Sequence, residues 1–248
     1  LEILEKILDL FFPGTPECII CGSQGRLDSG VCRGCLERVV RREGYFFCPV
    51  CGRYSFKNTG FSCDECHSLR PAFYAARSVG PYKGVLKEAI YLFKYRGRRS
   101  LAGFFGLLMA ELFLAERVFA NAALLVPVPL SREKMKLRGF NQSELAAAAM
   151  GRVLGLPVSH CLLRTKETTS QSKLDRGARA QNVRGAFAFD GRSLTGIPGT
   201  KLSGKDILLI DDIFTTGATV GECTGVLLEQ GADRVGVMTF ASGLQEKK

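Results

Sequence analysis

LLIDDIFTTGAT, Leu208–Thr219, is the stretch on which the fold turns. The apolar run Ile207–Ile210 reads as a buried strand, and Asp211 and Asp212 follow where that strand leaves its sheet. Thr215, Thr216, Gly217, Ala218 and Thr219 then offer hydroxyls and backbone N–H groups just as a helix begins, a setting that favours a phosphate dianion. Gly217 lets the backbone approach closely. Two acids alone are ambiguous, since they also suit a magnesium-dependent phosphotransfer site or a capped turn. With TTGAT behind them, the carboxylates can accept hydrogen bonds from vicinal sugar hydroxyls while the loop holds a phosphate. That combination describes a ribose 5-phosphate.

Outward from this stretch, strand and helix patterns alternate. FYAARSVGPY reads as a strand pair or a single strand and KGVLKEAIYLFKY as an amphipathic helix. A helix over roughly 101–119, an apolar strand ending at Val128, a basic loop to Gly139 and a helix over 141–154 come next. LPVSHCLLR suggests a strand, TKETTSQSKLDRGARAQN a long polar loop, and AFAF a short strand before a Gly-rich stretch. GATVGECTGVLLEQGA predicts a helix and DRVGVMTFAS a last strand. Such alternation implies an α/β fold with a mainly parallel sheet flanked by helices, whose ligands gather at the carboxyl ends of the strands.

The front of the chain is different in kind. Eight of the ten cysteines fall between Cys18 and Cys66, as four CxxC knuckles: Cys18/Cys21, Cys32/Cys35, Cys48/Cys51 and Cys63/Cys66. Two tetrahedral zinc sites account for all eight thiolates, and sites closed by four sulfurs hold a fold rather than activate water. Pairing in sequence order gives two successive ribbons and is preferred; alternating pairing would give an interleaved cross-brace. Four disulfides are the competing reading. Three segments follow: an amphipathic helix over 1–13, a double zinc ribbon over 14–70 and an α/β domain over 71–248. His67 finds no vacancy beside four cysteine pairs, and Cys161 and Cys223 read as buried thiols.

Lys and Arg exceed Asp and Glu by 34 to 24, a formal charge of +10, which suits polyanions. Arg41, Arg42, Lys134, Lys136 and Arg138 are the candidate nucleic-acid contacts, with Tyr45, Phe46, Phe47, Tyr54 and Phe56 as stacking planes. Packing and solvated charge are the competing account of these residues. No apolar run reaches the about 18 residues that span a bilayer, and charges interrupt the opening helix, so a cytoplasmic protein without a membrane span is expected.

The apolar strand, paired acids and TTGAT loop resemble the signature of the type I phosphoribosyltransferases. That resemblance implies ribose contacts from Asp211 and Asp212 and 5-phosphate contacts from Thr215–Thr219. It also places Arg132 near a pyrophosphate and brings Mg2+ with phosphoribosyl pyrophosphate. The knuckles, AIYLFKYRG, PVPL…RGFNQ and R…NVRGAF, together with DDIFTTGAT, resemble the ComF family over nearly the whole chain. Membership would imply single-stranded DNA as a partner, a helicase-like competence ATPase as another, and a role in DNA uptake during natural transformation. The alternative is an active phosphoribosyltransferase in nucleotide metabolism, a pentosyltransferase with an unidentified nitrogen acceptor. QSKLDRGAR departs from the family's usual QSGLSRAER in a stretch associated with covering the site. Lys94 either reaches the pyrophosphate side or belongs to a helix whose side chains merely snorkel, and the second is preferred.

Overall fold

A computed structural model describes residues 17–25, 27–58, 62–166, 181–194 and 202–245. The expected helix over 1–13, most of the polar loop with Arg176 and Arg179, and much of the Gly-rich stretch lie outside the described residues. The front segment holds β1 (Leu27–Asp28), β2 (Val31–Cys32), α1 (Arg33–Val40), β3 (Phe46–Phe47), β4 (Tyr54–Ser55) and α2 (Asp64–Leu69). β1 pairs antiparallel with β2, and β3 with β4. There follow β5 (Ala75–Pro81), α3 (Gly84–Tyr95), α4 (Leu101–Ala115), β6 (Ala122–Pro127), α5 (Arg132–Arg138), α6 (Gln142–Leu154), β7 (Leu162–Arg164) and β8 (Phe187–Phe189). β9 (Asp206–Phe214), α7 (Ala218–Glu229) and β10 (Arg234–Ser242) complete the order.

β5, β10, β9 and β6 form one parallel sheet in that spatial order. This is the mainly parallel, helix-flanked sheet behind four-cysteine ribbons that the sequence implies. β9 and β10 are central and buried on both faces, which is why their sequences run apolar without alternating polarity. Side-chain alternation divides the core. Leu208, Ile210, Met238 and Phe240 face α3, α4 and α6, where Phe93, Phe105 and Phe240 stack. Ile207, Leu209, Val235 and Val237 face α7 and the β7–β8 hairpin. α4 is buried nearly all round, and Gly106 lets it approach α6 so closely that a Cβ there would meet the Ala149 side chain.

The front segment packs on the outer sheet edge, β5. Ala76 donates its N–H to the Val50 carbonyl at 2.7 Å, Arg77 reaches the Pro49 carbonyl, and Tyr54 donates its hydroxyl to the Ser78 carbonyl at 3.0 Å. An exposed parallel edge would invite another strand; here it is covered. Gly52, at φ +65°, permits this approach, because a Cβ would strike the Ala76 carbonyl.

Two expectations need correction. The basic loop after Val128 contains α5, capped by Ser131 accepting from the Lys134 N–H at 3.3 Å and ended by Gly139 at φ +72°. LPVSHCLLR forms only the short β7, because Pro157 and Ser159 instead bond to Leu125 at the outer edge of β6.

Candidate functional site

β6 makes its last pair, Pro127 with Ile210, while β9 continues to Phe214 with only β10 beside it. Asp211 and Asp212 therefore lie within the strand but beyond its shorter neighbour. A cleft of 410 Å³ opens there, lined by both acids, Thr215, Gly217, Ala218 and Thr219. Gly217 sits at φ +80° as the residue preceding α7, with the Phe214 ring 2.8 Å from where a Cβ would stand. Thr216 lies against the ribbon side of the loop, in a second, mainly apolar pocket of 210 Å³ bounded by Cys51, Cys66, Phe73 and Phe214.

Four cations converge on the same cleft: Lys94, Lys134, Arg138 and Arg164. Lys94 Nζ lies 2.7 Å from Asp212 and its side chain is only 11% exposed, so it enters the site instead of snorkelling outward. Arg138 stands 3.9 Å from the same carboxylate and bonds Gln142 at 2.8 Å; its buried Nε has no hydrogen-bond partner among the described residues. An anion's oxygen is what such a group lacks. On α5, Lys134 and Arg138 are four residues apart and turn to the cleft together. Arg132, at the start of that helix, is exposed and absent from the cleft lining, and Lys136 is exposed on the outer side. Arg41 pairs with Glu43, and Arg42 ties the front segment to β5 by donating to the Val79 carbonyl at 2.9 Å.

The acids differ in charge. Burial and the neighbouring Asp212 push Asp211 up to about 7 from 3.8. Burial works against ionisation of Asp212 too, but the Lys94 ammonium, with Arg138 and Lys134, holds its carboxyl below the ordinary range. Asp211 accepts from the Asp212 N–H at 2.8 Å and the Ser143 hydroxyl at 3.4 Å. Burial, then Arg164 and Arg138, lowers the Lys134 ammonium. The cleft is thus a cationic basin with one fixed carboxylate and one that titrates near neutrality.

The cysteines gather as Cys18/Cys21/Cys32/Cys35 and Cys48/Cys51/Cys63/Cys66, with the four sulfurs of each set within 4.8 Å of one another. The cross-brace is not what forms. In the second set a hydrogen bond between sulfurs, with burial, leaves the thiols unequal: Cys48 is lowered to about 4 by the Cys51 side chain, while Cys48 and then burial push Cys51 far up. Burial raises Cys66 to about 12. Four crowded sulfurs of this kind suit a soft tetrahedral cation such as Zn2+, which would let all four ionise.

The double zinc ribbon domain family matches residues 7–67. The "DNA utilization protein YhgH" of Escherichia coli K12 is 30% identical over 212 residues, which cover 84% of this chain and 88% of that protein. "Competence protein ComFC" of Bacillus subtilis is 29% identical over 233 residues, 86% of this chain and 89% of its own. The chain belongs to the ComF family. "Competence protein F" of Haemophilus influenzae is 26% identical over 230 residues, covering 90% of this ComF chain and 96% of its own. A solved glutamine phosphoribosylpyrophosphate amidotransferase from B. subtilis superposes with a TM-score of 0.39 at 20% identity, over 61% of this chain and 30% of that one. No helix among the described residues of this ComF protein is long and apolar enough to cross a membrane.

Lys94 is a site residue that sequence reasoning passed over, whereas Arg132, expected near a pyrophosphate, is absent from the cleft lining. The signal for Lys94 was present: on α3 it follows buried Phe93 and precedes exposed Tyr95, the boundary position between core and solvent faces. Arg164 gave no signal, because a strand end brings it in from the β7–β8 hairpin.

Proposed function

We propose that this ComF protein binds phosphoribosyl pyrophosphate with Mg2+ in the cleft and handles single-stranded DNA during DNA uptake. The observation that carries the ligand is the convergence of Asp211, Asp212, the 215–219 loop and four cations on one 410 Å³ cleft. Asp211 and Asp212 would accept from the ribose hydroxyls, and the N–H groups at the start of α7 would hold the 5-phosphate. Lys94, Lys134 and Arg138 would face the pyrophosphate, and Mg2+, arriving with it, would offset its charge. The relatives' names, competence and DNA utilization, support the cellular role, and the +10 charge supports a polyanionic partner.

Calorimetric titration of magnesium phosphoribosyl pyrophosphate tests the reading. Asp212→Asn should weaken binding about tenfold or more, because it removes a charged acceptor and leaves Lys94 unpaired. Unchanged affinity would refute the ribose assignment. Asp211 adds a pH test on the ligand-free protein. Its native state keeps a proton that the unfolded chain releases between about pH 4 and 7. The stability this contributes is full below the ordinary carboxylate range and is lost as pH rises through about 7. Asp211→Asn should therefore melt higher than the parent at pH 8, with the gap closing toward pH 4; a constant gap would contradict it.

A further inference from the structure

The solvent face of α3 carries residues that the core does not use, and only its last, Tyr95, reaches the cleft. Lys83, Lys87, Tyr91 and Tyr95 follow one another at intervals of four, all exposed, while Leu86, Ala89, Ile90 and Phe93 bury the opposite side. Tyr91 and Tyr95 are 46% and 55% exposed, with ring centroids 5.3 Å apart. At the ribbon end, the Lys83 ammonium lies 4.6 Å from the Tyr45 ring and 5.8 Å from that of Phe56, itself exposed. At the other end, Tyr95 lines the cleft beneath the Arg138 guanidinium, 5.2 Å away. Exposed Arg96 and Arg98 follow it, and Arg99 joins the end of α3 to α5 through the Gly139 carbonyl at 3.1 Å. One acid, Glu88, interrupts the face of α3 itself.

Resting on the single-strand reading above, we propose that this stripe is the path of the DNA, running from the Tyr45 and Phe56 rings along α3 to the mouth of the cleft. Cations and π-faces along one stripe form the arrangement that takes a flexible strand without reading its sequence: ammonium groups track phosphates and tyrosines stack bases. The helix alone spans about 18 Å, from twelve residues at 1.5 Å each. The two tyrosines sit on a helix, so their spacing is fixed before the strand arrives, and the strand ends beside the proposed phosphoribosyl pyrophosphate pocket. Of the basic residues first expected on this surface, Arg42 is held by the Val79 carbonyl, while exposed Arg41 pairs with Glu43.

The test is fluorescence anisotropy of labelled oligothymidylate with the full chain across a salt series. Tyr91→Ala with Tyr95→Ala should weaken binding roughly tenfold or more with the salt slope unchanged, and Tyr91→Phe with Tyr95→Phe should restore it, since stacking needs the ring and not the hydroxyl. Lys83→Gln with Lys87→Gln should flatten the slope of log affinity against log salt by roughly 0.7 per cation removed. All these positions are exposed, and unchanged melting curves would show intact folds. Parental binding with unaltered affinity in the alanine and glutamine variants would overturn the path while leaving the DNA reading standing. Absence of binding by the parent would remove both, and preference for oligouridylate over oligothymidylate would reassign the stripe to RNA.

Discussion

The two cysteine clusters use the same ligand set on opposite faces of one strand, and they are not equivalent. Cys18, Cys35, Val39 and their neighbours join the core between the sheet and α3, with Ala75 and Val79 of β5. Cys48, Cys51, Cys63 and Cys66 join the other core, with Ala76, Phe73 and Phe214. The first cluster leaves Cys21 exposed and Cys32 half-buried, whereas the second is buried at all four positions. Beside it, Phe73 meets Phe214 edge-on at 5.9 Å, and the Phe214 ring in turn touches the space beside Gly217. Identical chemistry thus serves two purposes: one cluster anchors the front segment to the core under α3, while the other backs the loop of the candidate site.

The sharpest way to break this contrast is to remove one sulfur from each cluster. Cys51→Ser should cost most of the soluble folded protein, since it leaves three crowded sulfurs inside a core that continues to the sheet. Phe73→Ala should come next, at about 3–5 kcal/mol of stability, and should also weaken phosphoribosyl pyrophosphate binding with its metal content unchanged. Affinity equal to the parent's would show that the ribbon and the loop are independent. Cys21→Ser should cost least, because the unfolding that follows loss of its metal stays local to the more exposed cluster. It should lose one metal per chain by elemental analysis while keeping ligand affinity. A reversed ranking of the two cysteine variants would mean that burial does not set the importance of these clusters.

What could be read beforehand was what depends on neighbours in sequence. The acid pair and TTGAT follow one another along the chain, and the knuckles repeat at a spacing that one ion imposes. α5 was equally local, with Ser131 as its N-cap and Gly139 at its end, but its basic composition drew attention to charge and away from the caps. The remainder depends on tertiary placement. Nothing in the text around Arg164 says that a hairpin brings it into the cleft, and Arg42 looks like any surface cation until Val79 is seen to hold it. The seating of the ribbons on β5 was likewise hidden, because it runs through backbone groups such as the Val50 carbonyl and the Ala76 N–H, which every sequence possesses.

The order of strands in the sheet has a consequence for how the molecule is made. β10, the last of these four sheet strands to leave the ribosome, inserts between β5 and β9. Until it arrives, β5 and the ribbons seated on it have no partner in the sheet, and the hydroxyl of Ser242, which bonds to the Gly52 carbonyl at 3.2 Å, is not yet synthesised. Metal capture by the knuckles is local in sequence and can come early, whereas the sheet closes only through contacts spanning most of the chain. A nascent chain stalled before residue 234 would carry two finished lobes joined to an unfinished centre, open along both β5 and β9.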